Sequence, residues 1–201
     1  MSNSYKYLDP DYTYTDPKTG ILRNLQDITE SDVLLFVESG AVTKRLQQIY
    51  ENPIKIKTIE SLFEIHKHLF QDIYDWAGKK RIVEISKDGK QFFPTTHFDN
   101  ASRFINSLIV DFKKIPKDNK KQLAEKLAEI LDNVNYLHPF REGNGRTQRE
   151  FLRLIALEKG LNLNLNPPDN KSVFERYMKG TVESDLTTLT ELIFELIEPK
   201  N

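Results

Sequence analysis

Apolar residues recur along most of this chain at intervals of three and four, the spacing that lines one face of an α-helix. Between Thr58 and Trp76 the stripe is Leu62, Ile65, Leu69 and Ile73; between Asn119 and Leu137 it is Leu123, Leu127, Ile130, Val134 and Leu137. The same period predicts helices from Ile28 to about Tyr50, about Asp99 to Lys114, about Gly145 to Lys159, Lys171 to Lys179 and Leu186 to Ile197. One stretch changes period. Ile82, Val83 and Ile85, then Asp88-Gly89, then Phe92 and Phe93 read as a β-hairpin closed by a tight turn. Residues 1–25, rich in Tyr, Asp, Pro, Thr and Gly, read as an extended arm, and residues 26–201 as a single domain. The fold class is mostly α, with one hairpin at about 82–93.

Composition narrows the chemistry. A chain of 201 residues buries a proper core without staples, and it contains no cysteine, so thiolate nucleophiles, disulfides and thiolate metal sites are excluded. Basic residues number 29 against 30 acidic ones, which leaves no global field for nucleic acid; any anion site has to be local. No apolar run approaches the roughly 20 residues of a membrane span. The N-terminus MSNSYKYLDPDYTY lacks the apolar core of a signal peptide, so the expected location is the cytoplasm.

The densest chemistry lies in YLHPFREGNGRTQRE, Tyr136 to Glu150. His138 follows the last residue of a helical stripe and precedes Pro139, which biases it out of helical geometry and into a loop. A neutral imidazole there suits a general base, although a lone histidine is as well explained as a buried loop residue. Gly143 and Gly145 flank Asn144, which lets the three residues take unusual backbone angles and turn their N–H groups toward one point. A helix start follows at once, and its positive end favours an anion. Arg146 and Arg149 stand in its first turns, with Arg153 one turn further, where cations cost about 0.3 to 1 kcal/mol each unless an anion lies between them. Arginine forks match phosphate oxygens. Glu142 beside such a site suits Mg²⁺, which takes one or two carboxylates plus phosphate oxygens; a weak salt bridge with Arg141 is the plainer alternative.

The run HPFREGNGRTQR, His138 to Arg149, matches each specified position of the Fic motif H-P-F-x-(D/E)-G-N-G-R-x-x-R, and the chain resembles that family. The likeness extends to DIYDWAGKKR at Asp72 to Arg81, to the hairpin after it, and to YTYTDPKTGILRNL near the N-terminus. It implies a mostly helical Fic core with a β-hairpin flap, transferring AMP from ATP to a hydroxyl of a target protein and releasing pyrophosphate. His138 would deprotonate that hydroxyl, Phe140 would anchor the loop, and Glu142 would hold Mg²⁺. Asn144 with the Gly143 and Gly145 amides would form an anion hole, and Arg146 and Arg149 would clamp the outer phosphates. The flap, through Ile82, Val83, Ile85, Lys87, Gly89 and Phe92, would receive the target backbone by strand addition. Related Doc kinases carry lysine where this chain has Gly145, so glycine favours nucleotidyl transfer.

Relatives are commonly restrained by a glutamate helix written (S/T)-x-x-x-E-(G/N). The nearest match here, TTLTEL at Thr187 to Leu192, places leucine after Glu191 on an apolar helical stripe. The resemblance therefore implies a stand-alone toxin, with a separate small antitoxin or no cognate inhibitor; in similar proteins the targets include type II topoisomerase subunits. Rival readings are transfer of UMP, phosphate or phosphocholine, and a nucleotide-binding module without catalysis, against which His138 argues. A DNA-binding reading of the lysine-rich DFKKIPKDNKKQ at Asp111 to Gln122 gives way to a solvated loop and helix start. His66, His68 and His97 form no metal-ligand pattern.

Overall fold

The computed structural model describes residues 5–87 and 89–200. The hairpin residue Asp88 and the first four residues of the arm lie outside them. Helix α4 (Lys120–Leu137) is the centre, and its predicted stripe is buried along the whole length. Asn119 caps it by accepting from the Gln122 N–H at 3.2 Å, which satisfies one of the donors a helix start leaves open. Around it pack α3 (Phe98–Lys114), α5 (Asn144–Glu158), α6 (Lys171–Glu183) and α7 (Leu186–Leu196). Helices α1 (Ser31–Glu51) and α2 (Glu60–Phe70) form an outer layer, with α2 packed on α5. Strand β4 (Leu161–Asn162) pairs with β5 (Glu198–Pro199) behind this core.

Two segments depart from the sequence expectation. Helix α2 stops at Phe70 rather than running to Trp76. The Ile73 carbonyl accepts from the Leu25 N–H at 2.8 Å, and Ala77 N–H reaches back only to Tyr74, so the ladder tightens and is diverted to the arm. The arm itself is docked. Its strand β1 (Tyr5–Leu8) pairs antiparallel with the first hairpin strand β2 (Glu84–Lys87), Tyr7 opposite Ile85, and β2 pairs in turn with β3 (Lys90–Gln91). The sheet order β1-β2-β3 makes β2 a central strand. Further along, Asp9 accepts from the Thr13 and Tyr14 N–H groups at 2.8 and 3.0 Å. That turn buries Tyr14 edge-on against Trp76, where its hydroxyl accepts from the Ile82 N–H at 3.2 Å. An aromatic with a polar tip thus ties the arm to the base of the hairpin.

Candidate active site

The loop after α4 begins with backbone strain. His138 caps the helix in the left-handed region, φ 42°, a conformation that costs a non-glycine residue about 1 kcal/mol or more. Its carbonyl accepts from Arg81 Nε at 2.9 Å, and the next carbonyl, of Pro139, accepts from the Arg81 N–H at 2.7 Å. These two bonds hold the strained turn. The imidazole Nδ1 lies 3.3 Å from the Asn135 carbonyl and, as its donor, leaves Nε2 as the lone-pair nitrogen. Phe92 of the flap stacks on the ring, centroids 3.8 Å apart.

Inside the loop, Phe140 is fully buried, stacked on His66 at 3.7 Å and edge-on to Phe63 at 5.1 Å. His66 is itself fully buried. The Gly78 N–H donates to its Nδ1 at 2.8 Å, so the proton sits on Nε2, which donates to the Glu142 carbonyl at 3.0 Å. Asn144 braces the same turn from the other side. Its Oδ1 accepts from the Phe140 N–H at 3.0 Å and its amide donates to the Phe140 carbonyl at 2.8 Å. The side chain expected in an anion hole thus spends its oxygen and one of its two amide hydrogens on the loop.

The glycines divide their roles. Gly143 alone takes a left-handed angle, φ 80°, as the cap of α5; a Cβ there would lie 2.3 Å from the Phe70 ring. Asn144 and Gly145 are already helical, so what the loop presents is the N-terminus of α5, an end suited to an anion, and not a run of three unusual residues. A Cβ on Gly145 would come within 3.3 Å of Arg149 Nη1. The two arginines diverge to opposite sides. Arg146 lies over Phe70, its Nη1 2.6 Å from Glu38 of α1 and its Nη2 3.7 Å from Glu142. Arg149 lies over Phe174 and Tyr177 of α6, and among the described residues no carboxylate pairs with it. Arg153 is paired with Glu150 at 2.6 Å, away from the loop. Arg141 does not pair with Glu142; its guanidinium lies 3.3 Å above the Tyr7 ring. Glu142, half-exposed, accepts from the Gly143 N–H at 2.9 Å.

A cavity of about 280 Å³ opens between the flap, the end of α4, the start of α5 and α6. Lys87, Phe92, His138, Gly145, Gln148 and Tyr177 all line it. Of the other flap residues, Val83 and Ile85 point into the core and Ile82 is exposed. Gly89 turns at the tip with φ 80°. Gln148 donates to the Tyr177 hydroxyl, fixing one wall. The His138 imidazole and Gly145 in the first turn of α5 thus face one concave space; Arg149 stands behind its Tyr177 wall, and Arg146, on the Glu38 side, is not among the lining residues.

Residues 56–156 match the Fic/DOC family. The chain belongs to that family. The protein adenylyltransferase VbhT of Bartonella schoenbuchensis is 35% identical over 159 residues, which is 79% of this chain and 33% of VbhT. The chain therefore spans a third of that relative. The probable protein adenylyltransferase Fic of Escherichia coli is 29% identical over 187 residues, 92% of this chain and 90% of that one. The N-terminal Fic domain of a VirB-translocated Bep effector protein from Bartonella quintana, with bound ADP, shares the fold at a TM-score of 0.83 and 20% identity, covering 94% of this chain and 96% of that one.

The Fic motif pointed to the loop but not to the side chains that hold it. Glu38 and His66 both had a signal: each is a polar residue on an otherwise apolar stripe, Glu38 between Leu34 and Val42, His66 between Leu62 and Leu69. Arg81 closes the DIYDWAGKKR stretch, but its role was not visible there, because besides Glu84 its partners are carbonyl groups on three separate segments. Glu191 is exposed on α7, beside the Arg176–Glu195 pair rather than Arg149.

Burial pushes both His66 and His138 from 6.5 down to about 3. A folded-state value below the unfolded one means that this stability is present above pH 6.5 and is lost as pH falls toward 3. Between pH 6.5 and 5, above the range in which most carboxylates titrate, urea unfolding should lose up to about 1.4 kcal/mol per pH unit for each histidine. In His66→Asn the slope should halve. A stability constant across that interval would contradict the assignment.

Proposed function

We propose that this chain transfers AMP from magnesium-bound ATP to a hydroxyl of a target protein, releasing pyrophosphate, and that it acts in the cytoplasm. The observation that carries the reading is the shared cavity: the His138 imidazole and the α5 N-terminus at Gly145 line the same space. Relatives matched over nearly their full length, such as the Escherichia coli protein, are named as adenylyltransferases, which supports the same chemistry.

In this reading the phosphate chain lies along the α5 N-terminus, where the backbone N–H groups and helix dipole meet its charge. Arg146 and Arg149 close on it from the α1 and α6 sides. Glu142 is the residue that would hold magnesium. One half-exposed carboxylate, with no cluster of three or more acidic or histidine ligands among the described residues, suits an ion that keeps phosphate oxygens and water as its other partners. When bound, the ion supplies neutralisation of phosphate charge. Gly145 leaves the first turn of α5 open beside Arg149, whose Nη1 would lie 3.3 Å from a Cβ there; as in the family it resembles, the outer phosphates lodge deep and the α-phosphate faces His138.

His138 takes the hydroxyl proton on Nε2 while the Asn135 carbonyl orients the ring. An imidazole held at about 3 is a weak base, and Phe92 covers it. The arriving target side chain displaces Phe92, and the nearby phosphate charge raises the imidazole's pKa back toward its ordinary value, making it a stronger base. Because β1 occupies one edge of β2, the target strand meets the outer edge of β3 instead. Phe92 N–H points inward to Ile85, so by alternation the Gln91 N–H points outward to that edge. Among the described residues no carboxylate pairs with Arg149, and Glu191 lies beside the Arg176–Glu195 pair; in this reading restraint would come from a separate small protein carrying a glutamate helix.

Two variants test this. His138→Ala should abolish AMP transfer, by about 10³-fold or more, while ATP affinity measured by calorimetry stays within a few-fold. Transfer that survives would show that another group is the base. Gln91→Pro removes the outward donor without taking a bond from the β2 ladder, so kcat/KM for the protein target should drop about tenfold. An unchanged kcat/KM would place target docking elsewhere.

A further inference from the structure

Glu38 lies on the buried face of α1, 4% exposed, in an otherwise apolar row with Leu34, Val42 and Ile49. A carboxylate removed from water needs partners for both oxygens. Oε2 accepts from the Tyr74 hydroxyl, and Oε1 lies 2.6 Å from Arg146 Nη1. Tyr74 is buried and stacked on Trp76 at 4.3 Å, and burial next to the Glu38 charge drives its phenol far upward, so it remains a donor. This group belongs to no part of the Fic motif. It reaches the site from a helix about a hundred residues upstream.

Arg146 is consequently fixed on three sides. Phe70 supports one face of the guanidinium, Glu38 holds Nη1, and Nη2 points to Glu142. An arginine in the first turn of a helix is disfavoured by the dipole and carries about 2 kcal/mol of rotamer entropy, so without a partner it would leave the loop for solvent. Its side chain nevertheless keeps 27% exposure, and Glu142, 3.7 Å from Nη2, lies beyond hydrogen-bond distance of that donor. We infer that Glu38 is a positioning residue that sets Arg146 against the phosphate site before nucleotide arrives. This rests on the reading of Arg146 as a phosphate clamp. Glu38 takes Nη1 from α1 and leaves Nη2 directed at Glu142, the carboxylate on the loop itself.

The test is a double-mutant cycle of Glu38→Gln and Arg146→Ala, with steady-state AMP transfer, ATP calorimetry and thermal melting measured on each protein. Glu38→Gln keeps the shape and the Tyr74 bond but removes the charge that orients Arg146. Its KM for ATP should rise about tenfold, with kcat changed less than about threefold. In the Arg146→Ala background the same change should add nothing, since both act through one guanidinium. Tyr74→Phe, which releases one oxygen of Glu38 and leaves its charge, should give a smaller rise of the same kind and covers the case in which Glu38→Gln does not fold. An Arg146→Ala protein with unaltered ATP affinity would sink the clamp and this inference together. A normal KM in Glu38→Gln with only a lower melting temperature, additive effects in the cycle, or faster transfer would overturn the role of Glu38 alone.

Discussion

The buried guanidinium of Arg81 is the constraint on which the site depends. It is 1% exposed, and a charge so placed is tolerable only when its donors are met. Nε donates to the His138 carbonyl at 2.9 Å, Nη1 to Val83 at 2.7 Å and Glu84 at 3.2 Å, and Nη2 to Phe93 at 2.6 Å. The Phe98 ring lies 4.9 Å from its centre. One side chain therefore joins the strained turn at His138 to the segments on both sides of the flap. Moving the flap as a whole would strip carbonyl partners from a buried cation, so the part left to move is Phe92, whose ring stacks on the imidazole.

A second set of contacts fixes the loop from beneath. His66 and Asn144 grip it at Glu142 and Phe140, and Phe140 fills the space between them as a stacked ring. With the turn held so firmly, the α5 N–H groups keep their direction without a ligand, which is the preorganised state electrostatic catalysis requires. The charges follow from that placement. Arg146, Glu38 and Glu142 form a connected series, and Arg149 stands across the helix end on aromatic faces. In the proposed reading an entering phosphate chain would meet cations already in position.

Local periodicity carried much of this fold into view. The stripe from Leu123 to Leu137, the change of period at Ile82 and the break imposed by Pro139 each act within a few residues, so each could be read along the chain. What escaped depended on distant partners. Helix α2 ends early because Leu25 takes the Ile73 carbonyl, and the arm becomes a strand because β2 offers it an edge. The motif placed His138, Glu142 and Arg146 in one loop, yet it could not show that Asn144 would turn its amide inward or that Gly145 would be helical. Glu38 was legible as a charge on an apolar row. Its partner was not, since no pattern in α1 points to a residue in α5.

The central claim is that the nucleotide lies with its α-phosphate toward His138 and its outer phosphates on the α5 N-terminus. Parallel samples of the purified protein, magnesium and a bacterial lysate, one given ATP labelled at the α-phosphate and the other at the γ-phosphate, test it directly. The likeness of Gly145 to the nucleotidyl-transferring members of the family predicts a His138-dependent labelled protein band from the α-labelled nucleotide alone. A band from the γ-labelled nucleotide, or no band from either, would contradict it.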